Sequence, residues 1–176
     1  MKIYLITDTH FFHDKMIDFC GRPENFTELI GKNLLDLQVE ENDVLLHLGD
    51  ICIGRDEEAH ELYIKPLKCK KWLVRGNHDD KSNNWYLSHG WDWVGFKFQD
   101  RFFGKNIMFS HTPIRYTSEQ SGLWGSDSYD INIHGHFHNT AHHTREIWAE
   151  KIKNDKQKLL AIEYTDYKPV LLEDFI

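Results

Sequence analysis

Seven side chains of metal-ligand type recur along the chain, each in a short polar turn. Asp8 and His10 lie in DTH, Asp50 in LGD, Asn77 in GNHD, His111 in SHTP, and His136 with His138 in GHFH. The chain holds 12 histidines, and these runs set many of them beside Asp, Asn or Gly. A solvated surface has no reason to cluster them so, whereas metal sites do. Carboxylate, imidazole and amide oxygen together suit borderline divalent ions such as Mn, Fe, Zn, Ni or Co. Seven donors exceed the needs of one tetrahedral zinc, and a shared carboxylate would let them hold two ions. Two ions about 3.5–4 Å apart can polarise a phosphoryl group, acidify a water between them and clamp both oxygens of an in-line displacement. Taken singly, each residue has a plainer reading, because Asp, Asn and Gly all favour turns. The ordered set carries the metal reading.

Such a set must be delivered to one place. Each polar turn closes a short apolar run: Lys2 to Ile6, Val44 to Leu48, Lys71 to Val74, Asn106 to Phe109 and Ile131 to Ile133. Their β-branched and aromatic content, bounded by Gly, reads as buried strands. Between them, Leu29, Ile30, Leu34 and Leu37 fall on one helical face after Phe26. A second helix is expected over Glu57 to Ile64, stopped by Pro66, and a short third over Asp80 to Leu87. The tail reads as two strands, Leu159 to Tyr164 and Pro169 to Leu172, turned at Asp166 to Lys168. Strand–helix alternation implies an α/β protein of one domain over 1–176. In open α/β sheets ligands bind beyond the carboxyl ends of the strands, and every polar turn named above sits there.

Asp8-x-His10, Gly49-Asp50, Gly76-Asn77-His78-Asp79, His111 and Gly135-His136-x-His138, in that order, resemble the five motifs of the calcineurin-like metallophosphoesterase family. DxH and GD alone are weak signals; GNHD and GHxH are specific, and no motif position is substituted. The resemblance spans about residues 3 to 138 and implies a four-layer α-β-β-α sandwich, two mixed sheets flanked by helices. It implies one metal on Asp8, His10, Asp50 and His138, and another on Asp50, Asn77, His111 and His136. Asp50 and an attacking hydroxide would bridge them, with Mn the expected ion. His78 would contact the phosphate or protonate the leaving oxygen, with Asp79 orienting its ring. The longer opening segment DTHFFHDKMIDFCGRP resembles a small bacterial and phage branch, in which His13 and Arg22 would approach the substrate.

Other residues divide between site and scaffold. His47 and His134 sit within strands and read as core or supporting residues. His60 and His89 are assigned to the surface; His142 and His143 follow the metal motif closely, and an exposed loop explains them equally well. Arg75 could touch phosphate, and its position just before Gly76 also suits a strand-end salt bridge; Arg115, in the loop following His111, is a better candidate for binding an anionic substrate. Most tryptophans read as packing residues, with Trp124 on a site rim. Substrate choice is expected in Thr112 to Asp130 and in Asn83 to Asp100. Asp155 to Lys158 reads as a solvated turn.

Composition narrows the function further. Lys and Arg number 21 against 28 acidic residues, a net charge of -7. Duplex binding usually shows a basic excess, so the balance argues against stable nucleic-acid binding. Three cysteines without a CxxC pair suit reduced thiols in the cytoplasm. The apolar start Met1 to Ile6 is too short for a signal peptide, and no run approaches a membrane span. The expected function is hydrolysis of a small, nucleotide-like phosphodiester. A phosphomonoesterase or nuclease of the same fold, or a metal-binding scaffold that docks a partner, stand as alternatives. His78 is the residue such a scaffold would lose. The histidine donors bind metal only when neutral, which places loss of metal near pH 6 as pH falls.

Overall fold

The computed structural model describes residues 1–114, 129–139 and 155–176. Among them are nine strands: β1 (Ile3–Ile6), β2 (Val44–His47), β3 (Lys70–Val74), β4 (Trp93–Gly95), β5 (Lys97–Phe102), β6 (Lys105–Ser110), β7 (Ile131–His134), β8 (Gln157–Leu159) and β9 (Val170–Leu171). They form two mixed sheets, ordered β4-β3-β2-β1-β9 and β5-β6-β7-β8. In the first, only β9 runs antiparallel, against β1; in the second, only β5 does, against β6.

The apolar runs are continuous because both faces of the first sheet are buried. The period of two then sorts residues between two cores. Ile3, Leu5, Val44, Leu46 and Val74 point between the sheets, where they meet Ile107, Phe109 and Ile133. Ile6, Leu45 and Leu73 point the other way, under the helices. Register keeps the parity: Leu5 pairs with Leu46, and Leu46 with Trp72. A one-residue slip would exchange the two cores.

Four helices lie with the outer core: α1 (Lys15–Cys20), α2 (Phe26–Leu35), α3 (Asp56–Ala59) and α4 (Asn83–Ser88). On α2, Phe26, Ile30 and Leu34 are almost wholly buried at four-residue spacing, worth about 1.5–3 kcal/mol each. Three of the four expected layers are thus built by described residues; the outer layer of the second sheet is not among them. α1 ends at Gly21 in the left-handed region (φ 66). The N–H groups of Gly21 and Arg22 return to the carbonyls of Ile17 and Met16, and this reversal sends Arg22 inward.

Several expectations are revised. The tail strand ends at Leu159, Ile162–Tyr164 is a 3-10 turn, and Leu172–Phe175 is a helical turn. The two tail strands join different sheets, β8 beside β7 and β9 beside β1. The expected second helix is α for one turn only and continues over His60–Ile64 with the wider π spacing. His60, at the junction, is fully buried, where its Nδ1 lies 2.7 Å from the Asp56 carbonyl. His60 is not a surface residue, and burial lowers its pKa to about 4. Asn83 to Asp100, where substrate choice is expected, forms α4, β4 and most of β5.

Candidate metal centre

All five donor-bearing turns follow parallel strands, three in the first sheet and two in the second, so within each sheet their ends lie side by side. Backbone bonds carry the β1–β2 pairing past both strands, with N–H of Asp8, His10 and Phe11 donating to the carbonyls of Gly49, Asp50 and Ile51. The Gly135 N–H donates to the His111 carbonyl at 2.9 Å, tying the turns after β6 and β7. Two glycines allow the layers to close. A Cβ on Gly76 would lie 2.1 Å from Asp50 Oδ1, and one on Gly135 would lie 2.3 Å from Asp8 Oδ2. The glycines of GNHD and GHxH are therefore steric requirements of the two carboxylates.

Asp8, His10, Asp50, His136 and His138 all adopt positive φ, between 46° and 72°. For residues other than glycine this costs on the order of 1–3 kcal/mol each and persists only where surroundings enforce it. Strain thus concentrates on the residues that sequence reading selects as donors.

Two donor groups result. Asp8, His10 and His138 form one; Asp50, His111 and His136 form the other. Asp8 Oδ2 accepts from the Thr7 hydroxyl (2.6 Å) and the His136 N–H (2.9 Å). Its Oδ1 is buried with no hydrogen-bond partner and lies 3.9 Å from His10 Nε2 and 3.6 Å from His138 Nε2. A buried carboxylate oxygen facing two imidazole nitrogens calls for a cation. Asp50 Oδ1 accepts the His78 N–H, while Oδ2 lies 3.6 Å from His10 Nε2 and 3.3 Å from His111 Nε2. Asn77 Oδ1 and His136 Nδ1 stand 3.0 and 3.1 Å from that same His111 nitrogen. Donors about 2.1 Å from one ion lie roughly 3–4 Å apart, so both groups fit a divalent ion.

The second layer fixes the rings. His111 directs Nδ1 at the Leu48 carbonyl (2.8 Å), which leaves Nε2 for the site. His47 Nδ1 accepts the Gly49 N–H, so its Nε2–H meets the Thr9 hydroxyl, which donates to the Ile51 carbonyl. Burial holds His47 neutral, with a pKa of about 3. Burial also pulls His10 well below its ordinary value. Burial opposes protonation of His111 too, yet the Asp50 bond and the charges of Asp8 and Asp50 raise it to about 9. For His138, Asp8 and Glu163 likewise overcome burial and raise it to about 10. Asp50, despite its burial, is held below the usual carboxylate range by His111 and His10. In metal-free protein, protons stand where cations would.

His78 and Asn77 are exposed at a cleft of about 370 Å³, which His10, His13, Asp50, His136 and His138 also line. Asp79 does not reach for the His78 ring. It is buried, and its two oxygens accept the N–H groups of Asp50, Ile51 and Gly76 at 2.7–3.1 Å. His13 sits on the cleft, its ring 5.7 Å from that of His10, with its pKa lowered by burial and the His78 charge. Arg22 lies behind the donors rather than in the cleft; it is 2% exposed and bound to Glu163 and to the carbonyls of Asp8 and Thr9. Arg75 braces the Asp79 carbonyl instead of forming a salt bridge. Arg115, Trp124, His142 and His143 lie outside the described residues.

Sequence reading missed the lining that α1 gives the cleft, Lys15, Met16, Phe19 and Cys20, together with Ile53. It also missed Glu163. The signal was present, a lone acid in the apolar run Leu-Leu-Ala-Ile-Glu-Tyr. A charge buried in such a run requires a partner.

Donors at the ends of parallel strands, gathered between two mixed sheets, define a metal-dependent phosphoesterase class. The chain belongs to the calcineurin-like phosphoesterase family, whose model matches residues 1–171. An uncharacterized protein of Methanocaldococcus jannaschii is 29% identical over 179 residues, 98% of this chain and 88% of that one. A solved protein of unknown function from Aquifex aeolicus is 28% identical, with a TM-score of 0.75 over 98% of this chain and 96% of its own. An archaeal phosphodiesterase shares the fold at 15% identity, with a TM-score of 0.51 over 98% of this chain and 100% of that one. Among the described residues, no helix is long and apolar enough to cross a membrane.

Proposed function

We propose that the protein is a two-metal phosphodiesterase acting on small, nucleotide-like diesters, with Mn as the preferred ion. One ion would be held by Asp8, His10, Asp50 and His138, the other by Asp50, Asn77, His111 and His136. The observation that carries this reading is the place of Asp50 Oδ2, 3.6 Å from His10 Nε2 and 3.3 Å from His111 Nε2. One carboxylate oxygen faces both donor groups. Divalent ions there supply Lewis-acid polarisation of the phosphoryl oxygens and a water acidic enough to attack phosphorus.

The chain's own groups do the rest. The Asp50–His78 backbone bond fixes the base of the exposed His78, whose ring can donate to a phosphoryl oxygen or to the leaving oxygen. His13 offers a second hydrogen-bonding group on the same cleft. Diester preference is supported by the rest of the cleft lining. Met16, Phe19 and Ile53 give an apolar seat for an ester substituent, and Lys15 is the only Lys or Arg among the described lining residues. A monoester dianion would call for more fixed positive charge. The acidic balance of the chain also disfavours a long nucleic-acid track.

The test is hydrolysis of bis-p-nitrophenyl phosphate against p-nitrophenyl phosphate by metal-stripped protein resupplied with Mn, Ni, Zn or Mg. Metal-dependent turnover of the diester, falling on the order of 10²–10⁴-fold in His78→Ala, is the expected result. Preference for the monoester would make the protein a phosphatase. Two bound ions without turnover of either ester would favour a binding scaffold.

A further inference from the structure

His138 turns Nε2 toward Asp8 Oδ1 and presents Nδ1 to the protein behind it. There, Glu163 Oε1 lies 3.2 Å from Nδ1. The same oxygen accepts from Arg22 Nε at 2.9 Å and Nη2 at 2.7 Å. Arg22 Nη1 and Nη2 also donate to the carbonyls of Thr9 and Asp8, at 2.8 and 2.7 Å. The Arg22 and Glu163 side chains are 0% and 2% exposed. One buried ion pair therefore touches the backbone carrying Asp8 and the ring of His138 together.

Stability alone does not account for it. Burying two charges costs several kcal/mol per ion before attraction is counted, and well-packed apolar residues often do as well. Residues 22 and 163 also meet from opposite ends of the chain, across 141 positions. Cys20, His138 and Glu163 form a third donor trio, but Arg22 Nη2, 3.5 Å from His138 Nδ1, already supplies positive charge there. What the pair acts on is the His138 ring.

We propose that Glu163 is the positioning residue of His138 and that Arg22 fixes Glu163 in that role, so that the pair sets the affinity of the ion held by Asp8, His10 and His138 without touching it. An Nδ1–H directed at Glu163 leaves Nε2 with a lone pair aimed at the cleft and makes it a stronger donor. Arg22 couples that ring to the Asp8 backbone, so both donors hold their spacing. This rests on the two-metal reading of the site, and its test reads metal binding rather than turnover.

Metal-stripped wild-type, Glu163→Gln and Arg22→Lys proteins are titrated with Zn calorimetrically, with Tm measured alongside. Gln keeps the size of Glu163 but removes its charge; Lys keeps the charge of Arg22 but not both carbonyl bonds. In each variant one ion should bind about 10–100-fold more weakly, while the other keeps its wild-type Kd. A folded Glu163→Gln that binds both ions as tightly as wild type overturns the proposal. So does an equal weakening of both ions, which a merely structural role would give. Should Glu163→Gln fail to fold, long-range ¹⁵N spectra of the Zn-loaded wild type decide. A His138 Nδ1–H proton shifted far downfield and protected from exchange, as a charge-assisted bond to Glu163 requires, supports the proposal; an Nδ1–H at an ordinary shift that exchanges freely, or metal on Nδ1, overturns it. Wild-type protein that binds no ion would overturn the two-metal reading as well.

Discussion

Gly76 lies so close to Asp50 that a Cβ on the glycine would stand 2.1 Å from Asp50 Oδ1 and 2.6 Å from its backbone nitrogen. The second atom is main chain, so no rotamer change relieves the clash. Gly76→Ala must push the turn after β3 away from the turn after β2. Overpacking of this kind costs about 1–3 kcal/mol, and each kcal/mol lowers Tm by about 2–4 °C in a chain of this size. Because the displaced residue faces both donor groups, metal content should fall together with Tm. A variant with wild-type Tm and full metal content by mass spectrometry would show that the approach is not tight.

Asp50→Asn tests the shared carboxylate. The His78 N–H can still donate to an amide oxygen at position 50, so the turn should survive. What disappears is the negative charge between His10 Nε2 and His111 Nε2. Both ions should weaken together, each by more than the roughly 10–100-fold typical of losing a second-layer contact. Calorimetric titration checks this, and one ion retained at wild-type affinity would contradict a shared role.

Protonation gives a third prediction. The ordinary histidine value suggested loss of metal near pH 6, but carboxylates beside His111 and His138 move the window upward. With pKa values of about 9 and about 10 in metal-free protein, both rings are charged at pH 7.5 and must each release a proton to bind metal. At least two protons should therefore leave per fully loaded protein at that pH, given those two values, and a third where the water between the ions ionises. Zn titrations in HEPES and in Tris, whose ionisation enthalpies differ, count them; a count near zero would refute the charged rings. The sign for stability follows. Both pKa values are raised on folding, so their contribution is complete below pH 6.5 and is lost as pH rises through about 9 and 10. Metal-free protein should lose Tm across that range.

The strands and the meeting of the seven candidate donors were legible because each apolar run ends in a polar turn and strand ends face the ligand side of an α/β sheet. The donor types also carry their chemistry wherever they fall. What sequence hid is whatever depends on contacts distant in the chain. Arg22 looked like a substrate residue because its partner, Glu163, lies 141 positions away. His60 looked exposed because the rings that cover it, Trp85, Tyr86 and Trp91, lie some 25–31 positions further on. The cleft wall on α1 escaped because a helix of six residues leaves too little periodicity to read. The helix around Ile162 replaced a strand because Leu159 completes the pairing with β7 at His134.

Asp79 separates a scaffold role from a catalytic one. Sequence reading placed it behind the His78 ring, whereas its oxygens accept three backbone N–H groups, from Asp50, Ile51 and Gly76. Burial raises its pKa, and the Gly76 and Ile51 bonds oppose that rise. An asparagine there has one acceptor oxygen in place of two, and its amide N–H groups would face a backbone donor. At least one buried N–H would lose its partner, at about 1–3 kcal/mol. Asp79→Asn should therefore lower Tm and weaken both ions, because the turns bearing Asp50 and Asn77 come apart. His78→Ala, whose side chain is exposed, should leave Tm and metal content unchanged while turnover falls. If Asp79 instead served the His78 ring, the two variants would behave alike, each stable, fully loaded and slow. Tm, metal content and diester turnover measured on both proteins distinguish these outcomes.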